Sequence, residues 1–185
     1  MSLPTSQINF PFIHVEHQKG AFLFLIVATL LVFSALQIIN SQIITDAAPS
    51  GIVSYELAYS QENFESIHQS WSEQQFRYAA LSLGFDYLFL VLYPITIALG
   101  IVMLSNKLGY FKIGKALAWL VISAGVLDAI ENYSLIQLLT SHFELHWAHL
   151  SFWAASIKFT IVGIGLLYLI VGVGISLARK SSIKR

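Results

Sequence analysis

Four stretches of this 185-residue chain are each apolar over the length of a membrane span, and nothing else in it limits the fold so strongly. A helix needs about 20 mostly apolar residues to cross the hydrocarbon core, where no water satisfies the backbone. The stretches cover 21–44, 79–104, 116–139 and 150–177. They predict an all-α, four-helix transmembrane bundle, a single transmembrane domain over 1–185. Only 11% of residues are charged and the mean hydropathy is +0.70. Soluble domains carry about 25% charge, so the composition agrees. The first span is softened by Ser34, Gln37 and Asn40 and is too long for a signal-peptide core, so it reads as a retained helix.

Some functions are excluded early. The chain has no Cys, which removes disulfides, thiol catalysis and Cys-ligated metal. Net charge is zero with no basic block, so nucleic acid is not an expected partner.

Orientation follows from Lys and Arg near the spans. The loop 105–115 carries Lys107, Lys112 and Lys115, the C-terminal tail carries Arg179, Lys180, Lys184 and Arg185, and Lys19 flanks the first span on that side. The other side has only Arg77. Both termini should be cytoplasmic. The stretch 8–17 mixes aromatics, Pro and His and reads as an interfacial anchor, with a docking role as the alternative.

The long outer loop, 45–78, is more ordered than a linker. Pro49-Ser50-Gly51 marks a turn. Phe64, Ile67 and Trp71 recur at helical spacing after Ser60, and Ser72 with Gln75 fits a capping box opening the second span. Such a loop either folds over the bundle as a lid or rests on the membrane surface.

Asp86, Asp128, Glu131 and Lys158 fall inside the spans. A charge there costs about 3 kcal/mol on insertion scales and marks a site by default. At 1.5 Å per residue, Asp86 and Lys158 each lie roughly 8–9 Å outward of their helix midpoints, and Glu131 with Asn132 roughly 6 Å. Asp128, Glu131 and Asn132 stand at i, i+3 and i+4, on one helical face that must look into the bundle. Gln37, Asn40, Tyr87, Tyr93 and Tyr133 offer further polar groups nearby. Lys158 can neutralise one acid of the three, so a retained proton or a bound cation must answer the rest. A buried network that only fixes helix register is the structural alternative.

His142, His146 and His149 share a face at i, i+4 and i+7 if the third helix continues, a spacing that suits zinc. Glu144 would point elsewhere. Trp147 and Trp153 flank them, so an interfacial aromatic belt explains them equally simply. No other cofactor is expected. Ala124-Gly125, Gly163, Gly165, Gly172 and Gly174 allow close helix approach. Pro94 should kink the second span and free the Leu90 carbonyl.

Taken together, Gly51-Ile-Val-Ser-Tyr-Glu56-Leu-Ala, Gly84-Phe-Asp86-Tyr, Gly125-Val-Leu-Asp128-Ala-Ile-Glu131-Asn132 and Lys158 resemble a group of small four-helix bacterial membrane proteins with no assigned activity. The resemblance runs from Gly51 to Lys158 and implies a bacterial inner membrane. It also implies that Glu56 and Trp71 belong with the buried set.

The function expected is binding or transport of a small cation, proton or amphiphilic ligand at Asp86, Asp128, Glu131 and Asn132, with Lys158 as an internal counter-ion. The alternatives are a membrane-embedded enzyme acting on a lipid or isoprenoid, and an accessory subunit of a membrane complex. The expected surroundings are the lipid bilayer, with a homo-oligomer or a membrane partner subunit compatible with the chain.

Overall fold

The computed structural model describes residues 8–11, 13–140 and 144–182. They form helices and one isolated bridge, Phe10 to Ile13, with no strand among the described residues. Four helices are long and apolar enough to cross a membrane, which is compatible with a membrane protein. They are α1 (Gln18–Asn40), α4 (Glu73–Leu108), α5 (Phe111–Thr140) and α6 (Leu145–Ser182). Two short helices, α2 (Ile52–Glu56) and α3 (Gln61–Ser70), occupy the long loop.

The helix ends follow local chemistry. Ser60 Oγ accepts from Asn63 N at 3.2 Å and starts α3. Ser72 and Gln75 close the expected capping box, Ser72 N donating to Gln75 Oε1 at 2.9 Å and Gln75 N to Ser72 Oγ at 3.4 Å. Gly109, at φ 83°, ends α4 in the left-handed conformation that a residue without Cβ adopts freely. The first span ends at Asn40, four residues before the apolar run does, because the Asn40 side chain turns to hold the loop.

The central helix is α4, which packs against α1, α5 and α6. In its most apolar stretch 61% of residues are buried, against 11% for α1, which leans mainly on α4. One polar bond reinforces that contact. Thr96 gives its hydroxyl proton to Leu92 O at 2.7 Å, so Thr29 is the donor in the 2.8 Å bond to Thr96. Pro94 leaves the Leu90 carbonyl without a helical donor, and Gly125 of α5 lies directly against that oxygen and the Pro94 ring. Gly165 and Gly172 likewise face side chains of neighbouring helices, whereas Gly163 and Gly174 face open space.

Two apolar clusters hold the bundle. At the loop end, Tyr55, Phe64, Ile67 and Trp71 pack on Ile43, Leu83, Leu135 and Leu138. Trp71 also donates from Nε1 to Ile43 O at 2.9 Å. At the end bearing both termini, Ile8 and Phe10 join Leu99, Ile101, Val102, Ala118 and Val121. Asn106 fixes that N-terminal segment, accepting from Ile8 N at 2.8 Å and donating to Ile8 O at 3.0 Å. The segment read as an interfacial anchor is therefore docked into the bundle by its backbone and two side chains. A polar layer lies between the two clusters.

Candidate functional site

Lys158 is the hub of this layer. Its ammonium donates to Asp128 Oδ1 at 2.8 Å and lies 2.7 Å from Glu131 Oε2 and 3.9 Å from Glu56 Oε2. All four residues are buried, Glu131 completely. The Phe159 ring, 4.6 Å from Nζ, adds a cation–π contact. Asp86 stands apart from the ammonium and takes a bond of 2.6 Å from Asn132 Nδ2. The three polar residues of α5 thus face inward as their spacing requires, and they divide the work. Asp128 and Glu131 reach α6, while Asn132 reaches α4.

Glu56 comes from the loop. Gly51 adopts φ 61°, and a Cβ there would run into the Asn40 side chain. Asn40 Oδ1 accepts from Ile52 N at 2.7 Å and its Nδ2 donates to Ser50 O at 3.3 Å, which ties the start of α2 to the end of α1. One turn later Tyr55 and Glu56 are both buried. Burial pushes the Glu56 carboxyl above its ordinary range, Lys158 pulls it back and Asp128 adds to the rise. The Glu56 and Glu131 carboxyls converge on the same Lys158 ammonium. Tyr55 gives or takes a hydrogen bond of 3.0 Å with His68 Nε2, and burial lowers the His68 pKa and raises that of Tyr55.

A cavity of about 660 Å³ adjoins this layer. Asp86, Asp128, Asn132, Lys158 and Glu56 line its polar end, together with Gln37, Asn40 and Ser82. Phe33, Ile97, Val162 and Leu166 line its apolar end. Its walls come from α1 on one side and α6 on the other, two helices with little mutual contact. Glu131 is not among the lining residues and backs the wall from behind. The hydroxyls of Thr29, Ser82 and Thr96 also border the cavity. Sequence reasoning missed them, because single hydroxyls are too common in spanning helices to mark a site.

The remaining candidates lie elsewhere. Trp71 is in the loop-end cluster, outside the cavity lining. His142 lies outside the described residues. His146 Nδ1 is 3.2 Å from Glu144 Oε2, and the His149 ring stacks on Tyr59 at 4.3 Å between centroids. Glu144, expected on another face, reaches His146 because α6 only begins at Leu145. Among the described residues no group of three or more His, Asp or Glu side chains is placed to hold a metal ion.

Comparison of the chain with protein-family models, with curated proteins and with solved structures finds no match. The functional reading therefore depends on the geometry just described.

Proposed function

We propose that the protein is a membrane-embedded binding or carrier protein for an amphiphile with a cationic amine head group. The observation that carries this reading is Asp86, a carboxylate on the cavity wall beyond ion-pair distance of Lys158. The site holds four acids against one base, which favours a cation over an anion. The apolar end suits an alkyl or ring tail. From Lys158 to Leu166 the wall of α6 extends about 12 Å. The cavity volume, about 660 Å³, falls in the ordinary range for small-molecule sites. The gap between α1 and α6 would let a lipid-dissolved molecule enter sideways. On this reading the site lies in the outer half of a bacterial inner membrane, with both termini cytoplasmic.

The test is titration of the purified protein in dodecyl maltoside with octylamine, octanol and octanoate. Octylamine should raise the melting temperature, octanol far less, and octanoate not at all. Asp86→Asn should weaken octylamine binding at least about tenfold, equivalent to about 1.4 kcal/mol. Equal binding of octylamine and octanol would overturn the reading.

A further inference from the structure

We infer that ligand uptake at this site releases a proton held between Glu56 and Glu131. The inference rests on the amine-binding reading above and adds what the site gives up when it fills.

The titratable groups facing this point come from four elements. They are Glu56 on α2, Asp86 and Tyr93 on α4, Asp128 and Glu131 on α5, and Lys158 on α6. From α1 the cavity receives Thr29, Gln37 and Asn40, none of which titrates. One ammonium cannot balance four carboxylates in a layer closed above and below by apolar clusters.

One proton reduces that deficit, and geometry says where it sits. Lys158 hydrogen-bonds Asp128 and lies 2.7 Å from Glu131 Oε2, so its single charge is already divided between two acids. Glu56 Oε2 and both oxygens of Glu131 are buried and have no hydrogen-bond donor aligned on them. Yet both carboxyls face the same ammonium, Glu131 Oε2 at 2.7 Å and Glu56 Oε2 at 3.9 Å from Lys158 Nζ. Ionised carboxylates are acceptors only, so two of them join through a shared proton or repel. Asp86 has a donor already in Asn132, and Asp128 has one in Lys158. The pair Glu56–Glu131 is thus the place in the layer that a proton completes.

Glu56 lines the cavity and Glu131 lies behind Lys158. An ammonium head group settling between Asp86 and Glu56 brings a second positive charge to the layer. The shared O–H bond then breaks, its electron pair stays on the carboxylate, and the proton leaves through the cavity that Glu56 lines. One cation enters and one leaves, so the charge of the layer is unchanged and nothing is oxidised or reduced. Proton and amine compete for one place. An acidic medium empties the site and a neutral one fills it.

The experiment is calorimetric titration of the full-length protein with octylamine, in two buffers of different ionisation enthalpy. An alkylammonium keeps its charge well above neutrality, as a Lys side chain does with a pKa of about 10.4, so the probe does not titrate in the range used. About one proton released per octylamine is expected, with affinity rising about tenfold per pH unit while the pair is protonated. Glu56→Gln and Glu131→Gln should each abolish the release and the pH slope, because an amide supplies its own donor to the remaining carboxylate. Octylamine binding by the unmodified protein with no proton released would overturn the inference and leave the binding reading standing. Release undiminished in both variants would overturn the assignment to this pair. Failure of octylamine to bind at all would overturn both readings.

Discussion

Lys158 and Asp128 meet across the α5–α6 contact in a buried hydrogen bond of 2.8 Å, with no other Lys or Arg paired to any acid of that layer among the described residues. Removing a single member of such a pair leaves an uncompensated charge, which costs about 3–5 kcal/mol. Lys158→Met should therefore lower the melting temperature of the purified protein sharply. Adding Asp128→Asn and Glu131→Gln to the same chain should restore most of it. A Lys158→Met protein as stable as the parent would mean that the acids are already neutral without their base.

Gly125 tests the central packing. A methyl group there meets the Leu90 carbonyl and the Pro94 ring, and neither backbone nor proline ring can rotate away. Gly125→Ala should destabilise the bundle by about 1–3 kcal/mol through overpacking. Gly163→Ala, with open space around it, serves as the control and should be close to neutral by the same melting assay.

The loop should respond to acid through His68. Its pKa is lowered in the folded protein, so the undocked loop takes up a proton more readily. Docking is then fully favoured above the ordinary histidine value of about 6.5 and weakens as pH falls below it. Glu56 works in the opposite sense, since its raised pKa favours docking at low pH and loses that contribution as pH rises. Hydrogen exchange of the α3 amides, corrected for intrinsic rate, separates the two. Protection should fall between about pH 7 and 5 in the parent, whereas in His68→Gln, where Glu56 acts alone, it should rise toward acid. An identical profile in both would remove His68 from the account.

Orientation is open to a direct test, because the chain contains no Cys and single cysteines stand out against no background. Glu62→Cys, in the long loop, should react with a membrane-impermeant maleimide on intact cells. Lys112→Cys, in the opposite loop, should react only after permeabilisation. The reverse pattern would invert the proposed topology.

The spans and the polar layer were legible in the sequence for one physical reason. A charge or a long apolar run has few explanations inside hydrocarbon, so Asp86, Asp128, Glu131 and Lys158 announced themselves. The i, i+3, i+4 spacing then placed Asn132 with them. Glu56 was different. It lies in a loop where an acid costs nothing to carry, and only the resemblance suggested it. Its burial depends on the Gly51 turn and the Asn40 bonds, which are long-range facts no local pattern announces. The cavity was invisible for a related reason. It exists because α1 and α6 do not close on each other, and a missing contact leaves no mark on either helix.

The position of Lys158 on α6 has a consequence for how the protein is made. Synthesis runs from the N-terminus, so Glu56, Asp86, Asp128 and Glu131 all emerge before the base that serves them. When α5 leaves the ribosome it carries two acids, each costing about 3 kcal/mol to bury, and no cation has yet been made at that depth. Until α6 arrives, protons must stand in for it. A nascent chain arrested before Lys158 should linger at the insertion machinery, and completion of the last helix should be the step that commits the protein to the bilayer.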